Sequence, residues 1–161
     1  MEIQSISLQK RSFSRRSHQP CDLLARVQYY SPKVANEFEE SPIHYAARNE
    51  HTEIVKILAP LTDNPNAPNY IGITPIYWAA RLGHTEIVKI LAPLTNNPNA
   101  PDEDGETPIY WAAENGHTEI VKILAALTDN PNAPSSTGLT PIMVARIMGF
   151  MAIQKILQKY T

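Results

Sequence analysis

Three histidines recur at a constant interval of 33 residues, at His51, His84 and His117. Imidazole nitrogens are common zinc ligands, so this pattern raises the question of a shared metal ion. If the interval reflects stacked helical units, neighbouring helices lie about 8–10 Å apart, whereas a zinc–nitrogen bond measures about 2 Å. One ion cannot bridge that distance. We therefore interpret the histidines as structural residues and predict no metal site.

Glutamate and lysine recur at the same interval, in pairs three residues apart: Glu53 with Lys56, Glu86 with Lys89, and Glu119 with Lys122. Residues at i and i+3 are neighbours on a helix surface, so these are solvated ion pairs rather than catalytic dyads. The sequence also lacks a glycine-rich phosphate loop, a cysteine–histidine cluster and a nucleophile motif. It therefore predicts no enzyme, no catalytic residue, no cofactor and no small-molecule substrate.

The composition is that of an ordinary globular domain of 161 residues, with 43% hydrophobic residues, 19% charged residues and a net charge of -2. This balance disfavours nucleic-acid binding by the chain as a whole. The single cysteine, Cys21, precludes an intramolecular disulfide. No apolar run approaches the roughly 18 residues of a membrane span, and the N-terminus lacks the apolar stretch of a secretory signal. We predict a cytoplasmic or nuclear protein that does not enter a membrane.

The N-terminal segment, residues 1–20, is polar, and four basic residues lie among its five serines: Lys10, Arg11, Arg15 and Arg16. This composition predicts a disordered basic tail rich in serine and arginine. A transit peptide, a nuclear-import signal and a nucleic-acid patch are alternatives with similar composition. Residues 21–35 are predicted to form a lead-in or partial cap, because Pro32 continues the register of Pro65 backwards.

The elements that carry these residues are marked by prolines and glycines with the same period. Prolines occur at Pro42, Pro75, Pro108 and Pro141, and the six glycines fall on two repeat positions, Gly72, Gly105 and Gly138, and Gly83, Gly116 and Gly149. Thr74 and Pro75 predict a helix start, with a hydroxyl cap followed by proline at the first helical position. This first helix is expected to end at about Leu82, before Gly83, which tolerates a positive φ.

A second helix is predicted in each unit, from about Thr85 in the second one. Its apolar residues have the i, i+1, i+3, i+4 spacing of one broad buried face: Ile87, Val88, Ile90 and Leu91. Pro93 disfavours continuation of this helix, because its ring clashes with the preceding turn. The stretch Thr95–Pro101 is rich in asparagine and proline and predicts an extended connection to the next unit.

Four tetrapeptides in fixed register resemble the Thr-Pro-Leu-His motif of ankyrin repeats: Ser41–His44, Thr74–Tyr77, Thr107–Tyr110 and Thr140–Met143. Paired alanines follow the first three, and His-Thr-Glu-Ile-Val opens the second helix. The resemblance implies an all-α fold, an ankyrin-repeat α-solenoid of helix–turn–helix units with short hairpin fingers. The predicted repeat domain covers residues 36–161, with repeats at 36–68, 69–101, 102–134 and 135–161.

The chain departs from the ankyrin pattern at several positions. The motif histidine is retained only at His44, so the hydrogen bonds that it makes between repeats are in doubt elsewhere. Threonine replaces the usual glycine after the second helix, at Thr62, Thr95 and Thr128. Glu39 and Glu50 occupy the two glycine positions of repeat one, where a left-handed backbone costs on the order of 1 kcal/mol. Repeat four has the polar outer face that a terminal repeat needs, with Gln154, Lys155, Gln158 and Lys159.

Repeats two and three differ mainly at the turn tip and at the end of the first helix: Asn69/Asp102, Tyr70/Glu103, Ile71/Asp104, Ile73/Glu106, Arg81/Glu114 and Leu82/Asn115. Stacking requires every repeat to offer its neighbour the same surface. We therefore interpret the nearly constant second-helix half as scaffold, and we infer that residues that change type take no part in the shared packing. In ankyrin proteins the changing positions lie on the finger tips and concave groove that bind partners.

The resemblance implies a monomeric protein-interaction module, such as an adaptor, a scaffold or an inhibitor. We predict these partner-binding residues: Tyr70, Ile71, Ile73, Trp78, Arg81, Leu82, Glu103, Asp104, Glu106, Trp111 and Glu114. Because repeat two is apolar and repeat three is acidic, we expect a protein partner with apolar and basic contact residues.

Two points stay open at this surface. Ile71 and Ile73 could instead pack the finger tips together. Three aromatic residues share one repeat position, and they could pack between helices or line the groove: Tyr45, Trp78 and Trp111.

Two other functions are alternatives to an independent interaction module. The chain could be a fragment of a larger ankyrin protein, since nearly identical consecutive repeats indicate duplication of one unit. Nucleic-acid contact through the basic tail is the second alternative, and it predicts salt-dependent binding to heparin that requires residues 1–20. The acidic finger tips disfavour contact between phosphates and the repeats themselves.

Overall fold

A computed structural model of the chain describes residues 35–161, which belong to one compact unit, Pro32–Thr161. The predicted basic tail and, apart from Ala35, the predicted lead-in lie outside the described residues. Within residues 35–161 there are eight α-helices and no β-strand, so the all-α prediction is confirmed. None of these helices combines the length and the apolar character needed to cross a membrane.

The eight helices form four consecutive pairs, one in each predicted repeat. The first helices of the pairs are α1 Pro42–Arg48, α3 Pro75–Leu82, α5 Pro108–Glu114 and α7 Pro141–Ile147. The second helices are α2 Thr52–Leu58, α4 Thr85–Leu91, α6 Thr118–Ala125 and α8 Met151–Leu157. First helices contact first helices of the next pair, and second helices contact second helices. The result is a stack of helix–turn–helix units, as the sequence predicted.

The first helices begin at the predicted threonine–proline pairs. The Thr74 hydroxyl oxygen accepts a hydrogen bond of 3.2 Å from the backbone N–H of Tyr77, and Thr107 accepts the equivalent bond from Tyr110 at 3.2 Å. Proline at the first helical position has no N–H that would need a partner. The first backbone N–H groups of these helices therefore obtain part of their hydrogen bonding from residues of the same repeat.

Two of the second helices, α2 and α4, end shortly before a proline. After α2 and α4 the chain tightens into short 3₁₀ turns, Ala59–Leu61 and Ala92–Leu94, each with proline at its second position. Repeat three has Ala126 in place of this proline, and α6 runs one residue further, to Ala125. Thr62 then adopts an extended backbone, with φ -117° and ψ 142°, so no left-handed residue is needed at the position where the ankyrin pattern has glycine.

The left-handed positions agree with the sequence prediction. All six glycines have a positive φ, and so do Glu39 and Glu50, at 57° and 58°. Gly83 is also required for space, because a Cβ there would lie 2.7 Å from the imidazole ring of His117. The His117 ring nitrogen Nε2 lies 3.2 Å from the carbonyl oxygen of Arg81. This histidine therefore packs against the preceding repeat, which supports its structural interpretation.

The hydrophobic core runs through the middle of the stack. In repeat two Ile87, Val88 and Leu91 are fully buried and Ile90 is partly buried, so the predicted apolar face of α4 is confirmed. Ile54 of repeat one, equivalent to Ile87, is 44% exposed. The difference arises because a preceding repeat covers Ile87.

Repeat four differs from the others on its outer side. Three positions that hold buried alanine or valine in repeats one to three hold Arg146, Gln154 and Gln158 in repeat four. Arg146 and Gln158 are exposed, as is Lys155, and the Gln154 amide nitrogen donates to the carbonyl oxygen of Ala145 at 3.2 Å. The outer side is therefore polar at the positions where repeats one to three bury small apolar residues, as expected for a terminal repeat.

Candidate partner-binding surface

Each repeat begins with a five-residue turn, here called a finger: finger one is 36–40, finger two 69–73, finger three 102–106 and finger four 135–139. In finger two the Asn69 side-chain oxygen accepts hydrogen bonds from the backbone N–H groups of Ile71 and Ile73, at 3.2 and 2.9 Å. The Asp102 carboxylate of finger three accepts the equivalent bonds from Asp104 and Glu106, at 3.1 and 2.8 Å. The first residue of these fingers therefore fixes the shape of the turn.

Asn69 and Asp102 thus belong to the scaffold, although they change type between repeats. The inference that a changed residue takes no part in the shared packing is wrong at this position. Asparagine and aspartate offer the same acceptor oxygen at the same distance from the backbone, so either one closes the turn. Burial raises the pKa of the Asp102 carboxyl, and the hydrogen bonds from Glu106 and Asp104 oppose that shift.

Neighbouring fingers are joined by backbone hydrogen bonds. The N–H of Glu103 donates to the carbonyl oxygen of Ile71 at 3.2 Å, and the N–H of Ser136 donates to that of Asp104 at 2.8 Å. Among the residues that the structure describes, no such bond joins finger one to finger two. The side chains of Ile71 and Ile73 are half-buried, so they remain partly accessible.

A pocket of about 340 Å³ opens between fingers one and two. This inter-finger pocket is lined by residues of repeats one and two: Asn36, Phe38, Glu40, Arg48, Asn69, Tyr70, Ile71, Ile73 and Trp78. The rings of Phe38 and Tyr70 lie side by side with centroids 6.1 Å apart, and these residues are 48% and 54% exposed. Arg48 Nη1 lies 3.7 Å from Glu40 Oε1, so an ion pair forms part of the wall.

A hydrogen bond from repeat one supports finger two. The buried His44 ring accepts at Nδ1 from the backbone N–H of Ser41 at 3.1 Å, and its Nε2 lies 3.0 Å from the carbonyl oxygen of Ile73. Because Nδ1 accepts, Nε2 carries the proton and donates to Ile73. Burial lowers the pKa of His44. At the equivalent position of repeat two, burial and then the charge of Asp102 raise the pKa of Tyr77 to about 12.

Arginine side chains alternate with aromatic rings along the first helices, in what we call the aromatic–arginine row: Tyr45, Arg48, Trp78, Arg81 and Trp111. The Arg48 guanidinium carbon lies 5.8 Å from the Tyr45 ring centroid and 5.3 Å from that of Trp78. The Arg81 guanidinium carbon lies 5.9 Å from the Trp78 centroid and 4.0 Å from that of Trp111. Cations at such distances from an indole face are attracted by its negative π-surface.

The tryptophans of the aromatic–arginine row both pack between helices and remain partly exposed. Trp111 packs edge to face with Tyr77 of the preceding repeat, with centroids 5.8 Å apart, so it takes part in inter-helix packing. Both Trp78 and Trp111 are nevertheless half-buried and partly open to the groove. Their indole nitrogens are buried, and the described part of the chain provides neither with a hydrogen-bond partner.

Finger three brings several carboxylates together. Burial raises the pKa of Glu106, and the negative charges of Asp102, Asp104 and Glu114 add to this effect while Arg81 opposes it. Within residues 35–161, no lysine, arginine or histidine nitrogen lies within 4.0 Å of a carboxylate oxygen of finger three. Finger three is therefore a concentrated negative charge without a close counter-ion in that region.

All eleven sequence-predicted partner-binding residues are at least partly exposed. Four of them line the inter-finger pocket together: Tyr70, Ile71, Ile73 and Trp78. Arg81 joins Trp78 to Trp111, Glu106 lies within the electrostatic influence of Glu114, and Glu103 and Asp104 are exposed on finger three. Leu82 is 45% exposed at the end of α3 and does not line the pocket.

Sequence reasoning missed Phe38, which forms one wall of the pocket. A signal was present, because Phe38 occupies the position of repeat one that Ile71 occupies in repeat two. The comparison of repeats two and three does not include repeat one, so it does not identify Phe38.

Comparison with protein families found one match. A family model described as ankyrin repeats, in three copies, matches residues 15–102 and 92–161. The match therefore extends over more than half of the chain and includes residues 15–35, which the sequence analysis placed before the repeats. A comparison with curated proteins found no significant match.

Proposed function

The chain belongs to the ankyrin repeat family, and from this premise we propose that it binds a protein partner with its fingers and its aromatic–arginine row. Ankyrin repeats are in general protein-interaction modules. The observation that carries the proposal is the inter-finger pocket, where Phe38 and Tyr70 expose neighbouring aromatic rings to water. Clustered exposed apolar side chains of this kind mark interaction surfaces, and aromatic anchors contribute most of the binding energy at interfaces.

The charges around the pocket favour a partner with basic contact residues. Exposed glutamates lie on finger one, and burial followed by the charges of Asp102 and Asp104 raises the pKa of Glu106. A positive side chain of a partner would relieve the repulsion among these carboxylates, and it would be drawn to them before contact. The partner proposed here therefore has apolar and basic contact residues.

The buried indole nitrogens of Trp78 and Trp111 give independent support. A buried N–H without a hydrogen-bond partner costs about 1–3 kcal/mol, so these tryptophans are poor choices for stability alone. Violations of local packing rules are expected at functional sites. We interpret the indoles as surface for a partner, held in place by the arginines.

The roles of adaptor, scaffold and inhibitor each require only binding, and ankyrin repeats are typically not enzymes. Nucleic-acid contact through the basic tail stays a prediction, because residues 1–20 lie outside the described region. We propose that the chain acts as a monomer, since the predicted partner is a different protein.

The test uses substitutions that repeat three already accommodates. Ile71→Asp and Leu82→Asn give repeat two the residues that repeat three has at Asp104 and Asn115. We expect the double variant to keep its circular dichroism spectrum and unfolding temperature but to lose partner proteins captured from a native lysate. Leu94→Asp is the matched control, because Leu94 is 49% exposed but lies in the turn after the second helix. Equal capture by the wild type and the double variant would contradict the proposal.

A further inference from the structure

We propose that the inter-finger pocket receives one large apolar side chain, aromatic or branched aliphatic, from a partner segment whose neighbouring residues are lysine or arginine. This inference rests on the proposed function and specifies the chemistry of the partner at one part of the surface. It concerns the pocket between fingers one and two, whereas the proposed function concerns the whole surface.

The pocket is large enough to hold one large side chain. Its volume is about 340 Å³. The rings of Phe38 and Tyr70 form two walls, and Ile71, Ile73 and Trp78 complete the apolar lining. An inserted apolar side chain would remove this surface from water, which is the main source of affinity at such anchors.

The pocket has a structural cause that is specific to repeat one. Fingers two and three, and fingers three and four, are held together by backbone hydrogen bonds. The described residues show no bond of this type between fingers one and two, and the pocket lies between them. The ion pair of Arg48 with Glu40 forms the wall of the pocket that belongs to repeat one. The opening is therefore part of the folded stack, and its aromatic residues are already in position before a partner arrives.

The charges around the pocket indicate which residues flank the apolar side chain of the partner. The ion pair with Arg48 partly neutralises Glu40, but Glu37 and Glu39 are exposed on finger one. Beyond finger two, Glu103 and Asp104 are exposed on finger three. The pocket thus has exposed carboxylates on finger one and, beyond the uncharged finger two, on finger three. A segment with an apolar residue between basic residues matches this arrangement from both sides.

The chain itself contains a segment of this chemistry. Phe13 lies between the basic pairs Lys10–Arg11 and Arg15–Arg16 in the amino-acid sequence. Occupancy of the pocket by this segment is the alternative to a partner, and the experiment distinguishes the two.

The experiment is isothermal titration calorimetry of the full chain with a synthetic peptide in which one phenylalanine lies between two pairs of arginines. We expect binding that weakens at least about tenfold when the phenylalanine is replaced by serine. Binding should weaken similarly with added salt or when the arginines are replaced by glutamine. The variant Tyr70→Ser with Ile71→Thr, which carries the residues of finger four and adds no charge, should bind at least about tenfold more weakly, and Leu94→Ser should bind as the wild type does.

Equal binding of the phenylalanine and serine peptides, or equal binding by the wild type and the finger-two variant, would overturn the inference. A Phe13→Ser variant of the full chain tests the internal segment. Unchanged peptide affinity supports a partner as the occupant, whereas affinity raised about tenfold assigns the pocket to the chain's own segment. If the peptide fails to bind while Ile71→Asp with Leu82→Asn still abolishes capture from a lysate, the pocket inference fails and the proposed function stands.

Discussion

The side-chain oxygen of Asn66 accepts a hydrogen bond of 3.0 Å from the backbone N–H of Ile76, which lies in the next repeat. Ile76 is the second residue of α3, and the first backbone N–H groups of a helix have no partner within the helix. Pro75 has no N–H, Asn66 satisfies Ile76, and Thr74 satisfies Tyr77. One repeat therefore completes the helix start of the following repeat.

We predict that Asn66→Ala lowers the free energy of unfolding by about 1–3 kcal/mol, because it leaves the buried N–H of Ile76 without a partner. Asn99→Ala should have the same effect, since Asn99 accepts from Ile109 at 3.0 Å. Asn96→Ala is the matched control, because Asn96 is an exposed asparagine of the same linker as Asn99. Urea unfolding monitored by circular dichroism measures all three. Equal losses at Asn66 and Asn96 would show that the bond between repeats contributes little.

The left-handed backbone of repeat one predicts a substitution that raises the free energy of unfolding. Glu39→Gly should raise the free energy of unfolding by about 0.5–1 kcal/mol, because glycine removes the Cβ strain at a φ of 57°. Glu53→Gly, in the exposed first turn of α2, should instead lower it by up to about 1 kcal/mol through lost helix propensity. Chemical unfolding of the two variants beside the wild type checks both signs, and destabilisation by Glu39→Gly would contradict the strain argument.

His44 predicts a specific dependence of stability on pH. Burial lowers its pKa in the folded state, whereas an unfolded chain has a histidine pKa of about 6.5. Between these two values the unfolded state binds more protons, so stability falls as the pH decreases. The contribution of neutral His44 is therefore fully present above about pH 6.5 and is lost progressively below it, down to the folded-state pKa.

The matched variant for this effect is His44→Tyr, because tyrosine occupies the equivalent positions 77 and 110. We expect the stability difference, wild type minus variant, to decrease as the pH is lowered from about 7 to about 5, the range below the histidine pKa. Urea midpoints at several pH values measure it. A difference that stays constant over this range would mean that His44 does not titrate differently on unfolding.

Arg81 is expected to stabilise the aromatic–arginine row. Removing it in Arg81→Ala should lower the free energy of unfolding by about 0.5–2 kcal/mol, because the cation–π contact and the packed arginine stem are lost. Both tryptophans of the sequence contact Arg81, so tryptophan emission should shift to longer wavelength as the indoles gain water contact. Arg146→Ala, at an exposed arginine of repeat four, is the control and should leave the emission unchanged. Identical emission spectra for the two variants would refute the proposed stacking.

The helix starts, the helix ends and the left-handed positions could be read from the sequence because each depends on local chemistry. Thr74 and Pro75 act within one turn of α3, and Pro93 disfavours continuation of α4 through a clash with the preceding turn. Near-identity of the repeats then identified the stacked scaffold. The role of Asn66 could not be read in this way, because its partner lies ten residues later and the linker composition predicts only an extended chain.

The candidate surface was predicted in part. Comparison of repeats two and three identified Tyr70, Ile71 and Ile73, because residues that differ between stacked units are free of a common packing requirement. The same comparison misplaced Asn69, whose replacement by Asp102 conserves the acceptor oxygen. It did not identify Phe38, because that residue lies in repeat one.

By itself, the sequence determined the repeat length, the order of helices and the positions of positive φ, because these follow from proline, glycine and the spacing of apolar residues along the chain. Tertiary structure alone decided that fingers one and two stand apart around a pocket and that Arg81 lies against Trp111. Both relationships join residues of different repeats. Their geometry depends on how closely neighbouring repeats stack, and local propensity contains no information about the distance between repeats.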